Sequence, residues 1–224
     1  MTYTQTMTAL KKMGTAQNVK VYKRHGAGEN LFGVSFANLK ALAKKIKVDH
    51  ELALRLWDSG NVDARTLATM VADASAINGA LAQRWIKDVD YYLLADCVAG
   101  AVAKSPVAEA KMKAWMASKK QYVRQGGYSV LGSSLVNGVD VSVSDCRSYL
   151  KTIEKEIHAS ANRAKHAMYM ALIAIGIYKS ALTQPALAAA KRIGKVDVDH
   201  GETACKTPDA IPYIERAIKR RTAR

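Results

Sequence analysis

The stretch HELALRLWDSGNVDARTLATMV, residues 50–71, decides how the chain is read. Side chains three and four apart share a helix face, so Leu52, Leu56 and Trp57 form the apolar side of a helix that begins at His50. Asp58-Ser59-Gly60 stops that helix. Asn61 then opens a second one over 62–71, because its short polar side chain accepts the orphan N–H groups of a first turn. Two short amphipathic helices joined by so tight a turn describe an antiparallel pair.

The same pattern extends in both directions. Ser35 caps a helix through residue 47, with Phe36, Leu39, Leu42, Ala43 and Ile46 on one face. Further helices are expected over 80–86, 91–103 and 106–116, the last with Ser105-Pro106 as cap and first turn. They continue over 119–135, where Gly126, Gly127 and Gly132 weaken the propensity. The remaining ones run from Ser142 or Ser144 to 157, then over 162–175, 182–193 and 208–220. Residues 139–143 and 196–199 alternate in polarity but are too short for strands and read as loops. The pairs recur at roughly 40 residues, the spacing of HEAT-type repeats. The best internal echo is Leu56–Gly60 against Ala114–Ser118, each a Trp ending a helix before a small polar turn. An irregular helical bundle fits the same periodicity.

Composition agrees with packed helices. At 224 residues and 49% hydrophobic the chain can bury a core, which excludes wholesale disorder. Only 7% of residues are aromatic, too few for a sandwich or barrel. Lys and Arg number 34 against 19 Asp and Glu, a net charge of +15. Such an excess suits a polyanion, nucleic acid first and a membrane surface second, although a merely well-solvated basic protein has the same count. Three widely spaced cysteines, Cys97, Cys146 and Cys205, make no disulfide framework and suit a reducing compartment. The first residues carry no long apolar run of the secretory kind, and the most apolar stretch, 167–178, is interrupted by Gly176 and too short to span a bilayer. The expectation is a cytoplasmic monomer that uses no membrane, metal or cofactor.

Walker-type phosphate loops, GxGxxG, CxxC, HExxH and GxSxG are all missing. One acid stands out. Asp96 lies in Asp90-Tyr-Tyr-Leu-Leu-Ala-Asp-Cys-Val98, on an apolar helix, with Tyr92 four residues earlier on the same face. A carboxylate there is paired, or has a raised pKa, or faces a cleft. Its candidate partner is Arg124, in Gln121-Tyr-Val-Arg-Gln-Gly-Gly-Tyr128; pairing that merely fixes helix packing is the plainer account. The segment 197–206 gathers Asp197, Asp199, His200, Glu202 and Cys205, but the spacing matches no zinc or calcium loop, and a polar loop over the last helices explains it. Basic residues recur, with Lys40, Lys44, Lys45 and Lys47 in one group and Lys111, Lys113, Lys119 and Lys120 in the next. Arg147, Lys151, Lys155, Arg163 and Lys165 follow, and the tail adds Arg216, Lys219, Arg220, Arg221 and Arg224. Each run alone is a solvated helix face. Repeated along stacked helix pairs, they track a phosphate backbone. Lys44, Lys45, Lys119, Lys120, Arg163 and Lys165 are the candidate DNA contacts.

These segments resemble the DNA alkylation repair family, the AlkD-type HEAT-like-repeat alkylpurine DNA glycosylases. Phe32-Gly-Val-Ser-Phe-Ala-Asn-Leu-Lys-Ala-Leu-Ala-Lys44 is similar to the family's "FGV…P.LR.L.K". Residues 54–68 are similar to "LW.S..HEAR.LA", and residues 115–130 to "WA.S…WVRRAA". The resemblance implies a single all-α domain over 1–224, a right-handed superhelical solenoid of antiparallel helix pairs. It implies that Asp96 stands at the catalytic Asp of "NWDLCD" and Tyr92 at its Trp. Arg124-Gln125 falls on the paired arginines, Met170 on a later Trp and Ile173 on an Arg, so the chain keeps Asp96 and Arg124 and departs from the pattern at Tyr92, Gln125, Met170 and Ile173. Asp96, Tyr92 and Arg124 are expected to converge on a concave face. The implied activity is hydrolysis of the N-glycosidic bond of N3- or N7-alkylpurines in duplex DNA. The alternative is a HEAT-like DNA-binding or scaffold protein without glycosylase activity.

Overall fold

The computed structural model describes residues 1–222. Arg224, counted above among the tail cations, lies outside them. The described residues form thirteen α-helices, two short 3-10 turns and no strand. They gather into two compact units, Met1–Lys111 with Gly201–Thr203, and Met112–His200 with the chain from 204 onward.

The first unit is built on α4 (His50–Asp58) and α5 (Val62–Val71). Asp49 caps α4 by accepting the Leu52 N–H at 3.0 Å, and Asn61 caps α5 by accepting that of Ala64 at 3.1 Å. The two helices pack along each other, and α5 also meets α3 (Phe36–Ile46) and α7 (Tyr92–Val102). Leu56, Trp57, Ala64, Leu67, Ala68, Leu94, Val98 and Val102 are buried there. Each large side chain removed from water contributes about 1.5–3 kcal/mol. Trp57 stacks on Trp85 of α6 (Gly79–Lys87) with centroids 4.7 Å apart, and its indole N–H donates to Asp88 at 2.9 Å. Phe36, expected inward, is the first residue of α3 and stays exposed.

Two helices precede those read from the sequence. In α1 (Tyr3–Met13), Thr2 and Gln5 form a reciprocal capping box, and Thr15 caps α2 (Ala16–Arg24). The link from α2 to α3 is held by Asp63 of α5. Its buried carboxylate accepts the backbone N–H groups of Phe32 at 2.6 Å, Gly33 at 3.0 Å and Val34 at 2.8 Å. Gly33 has φ 77°, and a Cβ there would lie 2.7 Å from the Thr15 carbonyl oxygen, so no other residue fits.

In the second unit α9 (Gln121–Val136) packs against α11 (Asn162–Tyr178), which also contacts α10 (Val143–Glu156), α12 (Thr183–Ile193) and α13 (Ala210–Thr222). The three glycines of α9 do not break it. A Cβ at Gly127 would lie 2.4 Å from the Met116 backbone nitrogen, at the end of α8 (Ala108–Met116). The glycine is there for close packing, which outweighs its low helix propensity. Ser105 does not cap α8. The helix starts three residues later, and the Ser105 hydroxyl donates back to the Val102 carbonyl at 2.7 Å. Residues 139–142 and 194–200 are loops, while Val143, read as loop, is the first residue of α10. Among the described residues no single helix is long and apolar enough to cross a membrane.

Candidate nucleic-acid interface

The face of α7 explains why an acid tolerates so apolar a helix. Leu94, Ala95, Val98 and Ala99 turn into the core, while Asp96 is exposed. The carboxylate therefore sits on the outward stripe with Tyr92, four residues earlier and half-buried. The Tyr92 hydroxyl lies 2.5 Å from Nδ1 of His25, the residue that ends α2, and the two rings are 5.9 Å apart. Tyr91 meets Tyr92 edge-on at 5.5 Å. Burial raises the Tyr91 phenol well above its ordinary value, and the neighbouring Tyr92 adds to this. Burial, then the Asp96 charge, pushes the Cys97 thiol up to about 12, with a hydrogen bond to Thr69 opposing. Cys97 is thus a neutral thiol at physiological pH and no nucleophile.

Sequence reasoning missed His25. It stands in Arg24-His-Gly-Ala-Gly28, a turn-forming run with no sign of a partner 67 residues away.

Arg124 belongs to the second unit, in the first turn of α9. Its guanidinium pairs with Glu156 at the end of α10 and also bonds the Tyr128 hydroxyl. Burial works against its charge, and those two bonds more than offset it, so its pKa is raised. Glu156 and Tyr128 are partners of Arg124 within the second unit, while Asp96, the partner expected from the sequence, belongs to the first unit. Gln125 and Ile173, at positions where the family pattern has arginine, are both buried, and Met170 is half-buried.

The basic candidates lie at the surface. Lys44 and Lys45 are exposed in the last turn of α3, and Lys119 and Lys120 in the turn before α9. Arg163 and Lys165 are half-exposed in the first turns of α11. The backbone N–H of Arg163 donates to the Gln121 side chain at 3.2 Å, which ties the N-terminal ends of α9 and α11 together. Lys119, Lys120, Arg163 and Lys165 thus share one end of the second unit, where two helix N-termini add partial positive charge.

The 197–206 loop is organised by hydrogen bonds and ion pairs. Asp197 pairs with Lys195 at 2.8 Å, Asp199 exchanges two backbone bonds with Asn162, and His200 meets Thr207 at 3.0 Å. His166, edge-on to His200, is lowered to about 4 by burial first and by the charges of His200 and Arg163 next. Among the described residues no three His, Cys, Asp or Glu side chains gather to hold a metal.

The family model for the DNA alkylation repair enzyme matches residues 6–214, and the chain belongs to that family. It is 29% identical to the uncharacterized protein Lmo0209 of Listeria monocytogenes and 28% identical to the uncharacterized protein Lin0241 of Listeria innocua. Each match covers 98% of both chains. A solved structure, from a new family of proteins related to the HEAT-like repeat DNA glycosylases with affinity for branched DNA structures, is 31% identical. It superposes with a TM-score of 0.89 over 98% of this chain and 95% of its own. The fold is that of the HEAT-like repeat DNA glycosylases.

Proposed function

We propose that the protein is a DNA-binding repair protein that engages alkylated duplex DNA through the outward face of α7. The observation that carries this is Asp96, an exposed carboxylate on a helix whose neighbouring Leu94, Ala95, Val98 and Ala99 are buried. Lys44, Lys45, Lys119, Lys120, Arg163 and Lys165 neutralise phosphates, and the net charge of +15 supports a polyanionic partner.

The chemistry follows from charge. Alkylation at N3 or N7 leaves a purine cationic and a good leaving group. Breaking its glycosidic bond builds oxocarbenium-like charge on the deoxyribose. Asp96 stabilises that charge and orients the attacking water. Tyr92 lies against the sugar or the cationic base, and the His25 bond fixes its ring. Arg124, tied to Glu156, presents a fixed cation to the backbone. No metal or cofactor enters these steps.

A second reading is favoured by Gln125 and Ile173. Both are buried where the family pattern has arginine, so neither reaches a phosphate. On that reading the protein binds DNA without cleaving it, as suits a relative with affinity for branched DNA structures. Release of methylated base from alkylated duplex DNA separates the two. The glycosylase reading expects release by the wild type and none by Asp96→Asn; no release by the wild type leaves the binding reading.

A further inference from the structure

The helix α13 carries cations besides the six candidate duplex contacts named above. Gly176 interrupts the apolar run of α11, and a Cβ there would lie 2.8 Å from Ile214 Cδ1 and 3.1 Å from the Ala186 Cβ. Its absence lets α13 lie close against α11, with Ile214 buried. Tyr213, Arg216 and Arg220, at i, i+3 and i+7, then flank the end of α11 at Ile177 and Tyr178. These residues line a cleft of about 540 Å³.

The cleft walls are prepared for an anion. The Arg221 guanidinium sits 4.4 Å from the centre of the Tyr178 ring and donates to the Ile177 carbonyl at 2.8 Å, which fixes its remaining donors. Arg216 and Arg220 are exposed and have no ion pair or hydrogen-bond partner among the described residues. Tyr213 is 40% exposed. Glu215, the only acid on α13, is turned about 160° around the helix axis from Tyr213. A cleft with three guanidiniums and an open ring matches a strand whose phosphates and bases are both reachable. In a duplex the base faces are already stacked, so the ring would have nothing to meet.

We propose that this cleft holds an unpaired strand of DNA, with a base on Tyr213 and phosphates on Arg216, Arg220 and Arg221. Stacking on an aromatic ring tolerates any base, so the site reads no sequence. The proposal rests on the reading that the protein binds DNA, and it adds a place for single-stranded tails or arms.

Fluorescence anisotropy with the full chain tests it, using a blunt duplex and the same duplex with a single-stranded thymidine tail. The tail should tighten binding about tenfold. Tyr213→Leu should remove most of that gain and leave blunt-duplex affinity nearly unchanged, and Arg216→Gln with Arg220→Gln should weaken the tailed duplex by a clearly larger factor than the blunt one. Tyr213→Trp should keep it, which separates loss of stacking from loss of fold. A wild type that gains nothing from the tail overturns the proposal while the duplex reading stands. So do variants that weaken blunt and tailed DNA by the same factor. Failure to bind either DNA overturns both.

Discussion

Asp63 holds the first unit together in a way that can be measured. Replacing it with alanine removes the acceptor of three backbone N–H groups, at 2.6, 3.0 and 2.8 Å, from a side chain only 1% exposed. A hydrogen bond to a charged group contributes about 1.5–3 kcal/mol, and leaving a buried donor unsatisfied costs a similar amount. The three share one carboxylate and do not add fully. The expected loss is about 3–5 kcal/mol, or about 6–20 °C in Tm for a chain of this size. Asp63→Asn keeps one acceptor oxygen but turns an NH2 toward a backbone donor, and should lose about half as much. The effect reaches the site. The Val34 carbonyl accepts the Tyr22 hydroxyl at 2.6 Å, and the Gly33 carbonyl accepts the Asn18 amide at 3.0 Å, so the clamp anchors α2, which ends at His25. Thermal melts followed by circular dichroism, with hydrogen exchange at residues 32–34, give both readouts. An Asp63→Ala protein that melts within about 2 °C of the wild type refutes the reasoning.

Other consequences follow from single contacts. Gly127→Ala puts a methyl on the Met116 backbone and should cost about 1–3 kcal/mol, read as a lower urea midpoint; an unchanged midpoint contradicts the packing. His166 has a folded pKa of about 4, below its unfolded value of 6.5, so the unfolded chain takes up the proton first. Stability should therefore be full above about pH 6.5 and fall as pH drops toward 4, and His166→Gln should flatten that slope in urea titrations. Tyr92→Phe and His25→Ala should each weaken DNA binding a few-fold, the worth of one hydrogen bond, and the double variant no more than either single one. Fully additive losses would show that the pair does not act as a unit.

The helices from Ser35 onward were legible because apolar side chains recur at helical spacing and capping residues stand where helices begin. Asn61, Asp49 and Ser142 cap as their chemistry requires. The helices α1 and α2 were not legible: they bury few residues, Thr6 and Leu10 in α1 and none in α2, and the Thr2–Gln5 box signals a start only when both partners are known to meet. Gly127 looked like a helix breaker because propensity is local, whereas the Met116 backbone that needs the space is tertiary. Asp96 was visible as an acid on an apolar helix. Asp63 was not, although it is the acid buried deeper, because it sits on a helix with ordinary polarity. The partner of Tyr92, His25, is set by packing between helices distant in sequence, and that of Arg124, Glu156, by packing of the consecutive α9 and α10; nothing in the local residues announces either.

The central claim, that the +15 charge and the α7 face serve DNA, is tested most directly by titrating duplex DNA at several salt concentrations with fluorescence anisotropy. Contact with about five phosphates predicts that log affinity falls linearly with log salt, with a slope of roughly −4 to −5. Charge reversal at Lys119 or Lys120 should reduce that slope by about 1 each, with little dependence on sequence. Asp96→Asn should bind as well as the wild type or slightly better, since it removes a negative charge near phosphates. Absence of binding at low salt would contradict the account and leave a protein-interaction scaffold in its place.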